Sequence, residues 1–77
     1  MGLYEKIKEL AKEKKVSIRQ IEEKLHFGNG TLNRWRTITP SIDKVQKVAD
    51  YFNVSIDYLL DLSSFRNEEE IKRATKA

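Results

Sequence analysis

The strongest constraint on the fold is the stretch from Ser17 to Arg36, SIRQIEEKLHFGNGTLNRWR, where one helical pattern stops and a second begins. Ser17 is a favourable N-cap, and Gln20 stands three residues later, as a capping box requires. The next apolar residues have the i, i+3, i+7 spacing of a buried helical stripe: Ile18, Ile21 and Leu25. His26-Phe27-Gly28 interrupts this stripe, and a new apolar pair follows, Leu32 and Trp35. Two short helices joined by a tight turn are predicted, as in a helix-turn-helix unit.

The remaining sequence predicts further short helices and no strand, so the expected fold class is all-α. These helices span about Gly2–Lys14, Ile42–Phe52 and Ile56–Asp61, and the second helix of the opening stretch spans about residues 29–36. Ser41 and Ser55 are the expected N-caps, and Asn53 is an expected left-handed C-cap. On one face of the fourth helix the predicted core residues are Ile42, Val45, Val48, Ala49 and Phe52. Residues 1–62 form the predicted domain, and the polar residues 63–77 form a short sixth helix or a linker to a removed domain.

Length and composition exclude several functional classes. The chain has 77 residues, no cysteine and one histidine, so neither a disulfide framework nor a metal site is expected. No apolar run approaches the roughly 20 residues of a membrane span, and no signal peptide is evident. The cytoplasm of a bacterium or of a phage-infected cell is the expected compartment. No nucleophile–base pair, paired carboxylates or phosphate loop is visible, so neither an enzyme nor a cofactor is predicted.

The charge distribution indicates where a polyanion would bind. The net charge is only +3, but no acidic residue occurs from Lys24 to Ile42, a segment that includes Arg34 and Arg36. Acidic residues return at Asp43 and are more frequent than basic ones after it, up to Leu62. The positive potential is therefore expected on the helix-turn-helix.

The polar face of the third helix is the candidate reading surface. With 100° per residue, Leu32 and Trp35 mark the buried side, and the opposite side holds Asn29, Gly30, Asn33, Arg34 and Thr37. Asparagine pairs well with adenine and arginine with guanine in the major groove. The N-terminus of this helix is also expected to offer N–H groups to a phosphate. A simpler interpretation is that these polar residues are only solvated and that Trp35 belongs to the core. His26 is interpreted as a left-handed turn residue.

Several motifs together resemble the phage repressor/Cro-type (XRE) helix-turn-helix domains over about Leu3 to Leu62. They are K-x-x-K-V-S at Lys12–Ser17, the Ile21 and Leu25 spacing, Thr31-Leu32-x-Arg34-Trp35, Pro40-Ser41, and KVADYFNVSIDYLL at Lys47–Leu60. The last of these is the most specific. The resemblance implies a compact lambda-repressor-like bundle of five helices, whose third helix enters the major groove of DNA.

The resemblance also implies roles for individual residues. The base-facing set would be Asn29, Gly30, Asn33 and Arg34. The phosphate-contacting set would be Ser17, Arg19, Arg36, Thr37 and Thr39. The chain departs from the family at several positions, among them Gly30, which removes one base-reading side chain. Ile18 replaces a common glutamine, Glu22 a small residue, His26 the turn glycine and Arg36 a common acid.

The predicted function is sequence-specific binding of double-stranded DNA by a transcriptional regulator, of the repressor type found in phages and prophages. One small domain makes few contacts, so a homodimer on a pseudo-palindromic operator is expected. The candidate dimer residues are Leu60, Leu62 and Phe65, although Leu60 is as readily explained as part of the core. The alternative is a protein-interaction module on the same fold, such as an antitoxin-like or antirepressor-target domain. Its working surface would be the acidic region Asp50–Asp61 and the polar tail.

Overall fold

The computed structural model describes residues 2–62, 65–67, 69 and 72–73. Within residues 2–62 the backbone forms five helices and no strand, which confirms the predicted all-α class. The helices are α1 (Leu3–Lys14), α2 (Ile18–Lys24), α3 (Thr31–Arg34), α4 (Ile42–Phe52) and α5 (Ile56–Leu59). In this described part of the chain, no helix is both long and apolar enough to cross a membrane.

Four of the helices end in the same way, with a non-glycine residue in the left-handed region. These residues are Lys15 after α1, His26 after α2, Asn53 after α4 and Asp61 after α5, with φ between 55° and 64°. In each case the following N–H donates to a carbonyl five residues back, for example Phe27 N to Glu22 O at 2.7 Å. This bonding satisfies carbonyls that the helix leaves unpaired and turns the chain sharply. The left-handed conformations predicted for His26 and Asn53 are confirmed.

The core lies where all five helices meet. Its largest fully buried apolar side chains come one each from α1, α2, α3 and α5: Ile7, Ile21, Leu32 and Leu59. Val45, Val48 and Ala49 of α4 are buried as predicted. Trp35 is 6% exposed and packs against Phe27, with ring centroids 5.9 Å apart, so its predicted place in the core is confirmed. This packing holds the segment after α2 against the segment after α3.

Three predicted details are wrong. Ile42 was expected in the core but is 61% exposed, because the buried face of α4 begins one turn later, at Val45. The fifth helix ends at Leu59 instead of Asp61, since the left-handed Asp61 turns the chain and Leu62 N bonds to Asp57 O. The third helix is four residues long, Thr31–Arg34, instead of about 29–36.

Residues 65–67 return to the bundle and contact it near the end of α1. Ser55 N donates to Arg66 O at 2.6 Å, and Asn67 Nδ2 donates to Asn53 O at 3.1 Å. The Arg66 guanidinium donates to Glu13 Oε2 at 2.8 Å, and this bond raises the pKa of Arg66. The predicted sixth helix lies mostly outside the described residues, of which 69, 72 and 73 have helical backbone. That helix stays a prediction.

A second charged contact joins α1 to the end of α5. Lys6 Nζ lies 3.4 Å from Asp61 Oδ1, and the same ammonium group lies 4.5 Å from the Tyr58 ring centroid. The hydrogen bond and charge of Lys6 lower the pKa of the Asp61 carboxyl. The Asp61 side chain is 52% exposed, so solvent screens this ion pair and limits its contribution to stability.

Candidate nucleic-acid interface

The helix before the turn is well defined by its own sequence. Ser17 Oγ accepts from Gln20 N at 3.0 Å, and Gln20 Oε1 accepts from Ser17 N at 2.7 Å. Both halves of the predicted capping box are therefore present. Ile21 is fully buried, whereas Ile18 and Leu25 are partly buried against the core. The predicted apolar stripe of α2 is confirmed.

The helix after the turn begins differently from the prediction. Gly30 is its N-cap, with φ +82° and no capping side chain of its own. Asn29 therefore lies in the turn and not on the helix. At the other end, i to i+3 hydrogen bonds continue the helical path beyond Arg34: Trp35 N to Leu32 O, Arg36 N to Asn33 O and Thr37 N to Arg34 O. The polar face predicted with 100° per residue is therefore helical only from Thr31 onwards, and Asn29 and Gly30 are not part of it.

The side chain that caps α3 comes from α2. Glu22 is 2% exposed, and its carboxylate accepts from Gly30 N at 3.3 Å and from Leu32 N at 3.0 Å. The expectation that this helix N-terminus offers free N–H groups to a phosphate is wrong, because Glu22 already binds two of them. The sequence held a signal for this contact, since Glu22 falls at i+4 from Ile18 on the buried stripe.

The predicted base-facing residues lie in two different settings, the turn before α3 and α3 itself. Asn33 and Arg34 are exposed on α3, and Asn29 is exposed in the preceding turn. Arg34 Nη2 donates to Thr31 Oγ1 at 3.4 Å, so the guanidinium lies against the first residue of its own helix. Gly30 is half-buried, and its backbone N–H is used by Glu22. Its conformation accounts for the glycine without any close approach to a ligand.

The predicted phosphate-contacting residues are all exposed, but both arginines of the set have partners within the protein. Arg19 lies 3.7 Å from Glu22 Oε1 and 3.5 Å from Glu23 Oε1. Arg36 donates to Asn33 Oδ1 at 3.4 Å, and its Cζ lies 5.5 Å from the Tyr4 ring centroid.

The hydroxyl groups of the predicted phosphate-contacting residues differ in the bonds they make within the protein. The Ser17 hydroxyl is occupied as an N-cap, and Thr37 Oγ1 donates to Arg34 O at 3.3 Å. Thr39 lies in the loop between α3 and α4, next to the polar face of α3.

A groove beside α3 contains residues that sequence reasoning did not single out. It runs between α3 and the first turn of α4, and it is lined by Thr31, Arg34, Trp35, Ile38, Thr39, Pro40, Ser41 and Lys44. Lys44 adds a positive charge next to Arg34. Its position three residues after the Ser41 N-cap could have indicated that it lies on the first turn of α4.

The predicted dimer residues lie after α5. Leu60 is 42% exposed and Leu62 is 74% exposed, both just after α5, and Phe65 is partly buried. Among the residues that the structure describes, no three His, Asp or Glu side chains are grouped so that they could hold a metal ion.

The family of the chain is shown by its similarity to known proteins. A family model described as a helix-turn-helix domain matches residues 4–64. The chain belongs to this helix-turn-helix family. The match covers most of the chain and confirms the XRE type predicted from its sequence.

Nearly the whole length of this helix-turn-helix domain is similar to part of a curated relative. The chain is 32% identical over 79 aligned residues to the HTH-type transcriptional regulator ImmR of Bacillus subtilis (strain 168). The alignment covers 97% of this chain and 62% of the regulator, so the helix-turn-helix domain spans less than two thirds of that relative. No solved structure matches the chain significantly.

Proposed function

We propose that this chain is a sequence-specific, double-stranded DNA-binding domain of a transcriptional regulator of the repressor type, acting in the cytoplasm without catalysis. The observation that carries the proposal is the exposed polar face of α3, where Asn33 and Arg34 project from a helix held against the core by Leu32. No acidic residue lies between Lys24 and Ile42, so nothing in this segment repels a phosphate backbone. The name of the similar Bacillus subtilis regulator supports the same class.

In the proposed complex, α3 enters the major groove, and the protein makes contacts both to base edges and to phosphates. Arg34 and Asn33 read base edges, with Asn29 at the rim of the surface. Phosphates are bound by the polar groups around α3, namely Ser17, Arg19, Arg36, Thr37 and Thr39, together with Lys44 of the groove. Phosphate contacts give most of the affinity and set the register, whereas base contacts give the sequence preference.

A homodimer completes the proposal. Two copies bind a pseudo-palindromic operator whose half-sites lie about 34 Å apart, one helical turn of DNA. Leu60 and Leu62 are the exposed apolar residues after α5, and with Phe65 they are the proposed contact between the copies. The exposure of Leu60 and Leu62 in a single copy is the feature that favours this assignment.

The test of base reading is Arg34→Ala on a site obtained by selection from random duplex DNA. We expect a loss of roughly 1–3 kcal/mol on the selected site and relaxed preference at one base pair, because one base contact is removed. Lys44→Ala is the control and is expected to weaken selected and random DNA equally. Arg19 is a less suitable control, since it also contacts the buried Glu22. Equal loss on both DNAs for Arg34→Ala would reject its base-reading role.

The alternative, a protein-interaction module, is favoured by one observation: Asp50, Asp57 and Asp61 are all exposed around α4 and α5. Salt dependence separates the two functions. For DNA binding, the logarithm of the affinity falls with the logarithm of salt concentration with a slope of roughly −0.9 per phosphate neutralised. A shallow slope together with no enrichment of any sequence in the selection would favour a protein partner.

A further inference from the structure

The start of α3 depends on a charged side chain that is almost completely buried. Glu22 of α2 is 2% exposed and accepts hydrogen bonds from the backbone N–H groups of Gly30 and Leu32. The helix has no side-chain cap of its own and contains only four residues. Two bonds from a neighbouring helix therefore constrain a large part of this element, which is far too short to be stable alone.

The conformation of Gly30 is what makes the contact with Glu22 bidentate. Its φ of +82° directs the N–H towards Glu22 Oε1, while Leu32 N reaches Oε2. A Cβ at Gly30 would meet no atom within 4 Å, so the backbone angle and not the available space favours glycine there. Gly30 and Glu22 thus form one device that joins α2 to the first turn of α3.

The chemistry of this device requires a carboxylate. An ionised carboxylate only accepts hydrogen bonds, and both of its oxygens face a donor here. A glutamine of the same size would place an NH₂ group against one of the two N–H groups. The positive end of the α3 dipole and the Arg19 guanidinium, 3.7 Å from Oε1, compensate the buried charge.

We infer that Glu22 is a positioning residue for sequence reading: it sets the orientation of α3, and so the direction of Asn33 and Arg34, without touching DNA. The inference rests on the proposed DNA-binding function. Phosphate contacts are made by residues on several elements and tolerate small rotations of α3, whereas base-edge hydrogen bonds do not. Glu22 therefore controls discrimination between DNA sequences more than it controls total affinity.

The experiment compares Glu22→Gln with Glu23→Gln. The two residues are adjacent, both lie within 4 Å of Arg19, and each substitution removes one negative charge. Glu23 differs in being exposed, at 63% of its side chain, so it is the matched control. For each variant, affinities for the selected site and for random duplex DNA are measured at one salt concentration, below the unfolding temperature.

Glu22→Gln is expected to lower the ratio of selected-site to random-site affinity about tenfold, the effect of losing roughly one good base contact. Its affinity for random DNA should equal that of Glu23→Gln, and Glu23→Gln should keep the wild-type ratio. In the protein without DNA, amide hydrogen exchange at Gly30 and Leu32 should accelerate in Glu22→Gln alone. If Glu22→Gln fails to fold, Glu22→Asp replaces it in the same measurements. The aspartate keeps the negative charge but is one methylene too short to reach both N–H groups.

Three results would overturn the inference. The first is a folded Glu22→Gln with the same affinity ratio as Glu23→Gln, which leaves the proposed function intact. The second result concerns the wild-type protein alone: hydrogen exchange at the amides of Gly30 and Leu32 that is as fast as in an unprotected backbone. The third is a wild-type protein that selects no DNA sequence, in which case the proposed function fails and the inference fails with it.

Discussion

Helices α1 and α3 both begin at a glycine N-cap without a capping side chain of its own, yet they are stabilised in different ways. Helix α1 has 12 residues, starts from an extended Gly2 and buries Ile7, Leu10 and Ala11. Helix α3 has four residues, starts from a left-handed Gly30 and is capped by Glu22 of another helix. Helix α1 is therefore held by three buried residues of its own, whereas the start of α3, the proposed reading helix, depends on a carboxylate from another helix.

The largest expected effect comes from removing the buried leucine of each helix. Leu32→Ala and Leu10→Ala, at positions 0% and 4% exposed, should each lower the free energy of unfolding by about 2–5 kcal/mol. They should differ locally, because α3 has only Leu32 and Thr31 buried within its length. Urea unfolding gives the global effect, and native-state hydrogen exchange should reveal local opening of α3 in Leu32→Ala. Equal opening of α1 in Leu10→Ala would remove the contrast between the two helices.

A smaller effect is expected from Gly30→Ala. The substitution meets no steric obstacle, but it places an L-residue at φ +82°, which costs about 1–2 kcal/mol. Gly28→Ala is the control, because its Cβ would make only an ordinary contact, 3.6 Å from Thr31 Oγ1. It should change the thermal midpoint little. If Gly28→Ala were the more damaging of the two, the role assigned to the Gly30 backbone angle would be wrong.

The smallest effect is expected at the turns that end α1 and α2. Lys15 and His26 both have φ 61°, so replacing either by glycine relieves the same backbone strain. Each substitution should leave stability unchanged or raise it by up to about 1 kcal/mol, the gain being offset by the entropy of the more flexible unfolded chain. Thermal melts of the two variants measure this. A clear loss for His26→Gly alone would mean that its imidazole, and not only its backbone, supports the turn before α3.

The sequence predicted those parts of the fold that depend on neighbouring residues. The capping box at Ser17, the bounds of α4 and the left-handed Asn53 all follow from spacings of four residues or fewer, and the structure confirms them. The start of α3 depends on Glu22, eight and ten residues away from the amides it binds. Its spacing from Ile18 indicates that Glu22 is buried, but no local propensity identifies the amides that it binds. Lys15 was missed as a left-handed residue because lysine has no special preference for that conformation.

For the candidate site, the sequence likewise predicted which side chains are exposed but not all of the contacts that they make. Side-chain chemistry pointed to Asn33 and Arg34, which are exposed on α3 as their spacing from Leu32 requires. The contact of Arg19 with Glu22 is an i, i+3 pair within α2, whereas that of Arg36 with Tyr4 depends on how α1 packs against the end of α3. Whether these residues contact DNA stays a prediction, as does the dimer contact at Leu60 and Leu62.

The packing of Trp35 has a practical consequence. It is the single tryptophan of the chain, it follows α3 directly, and its ring lies against Phe27 in the core. Its indole is therefore a built-in fluorophore placed behind the proposed reading surface and shielded from water. Emission from the unlabelled protein would report on the local integrity of that surface. The same emission can be followed during denaturation and during titration with an oligonucleotide. Stability and binding are then both measured with the Trp35 indole.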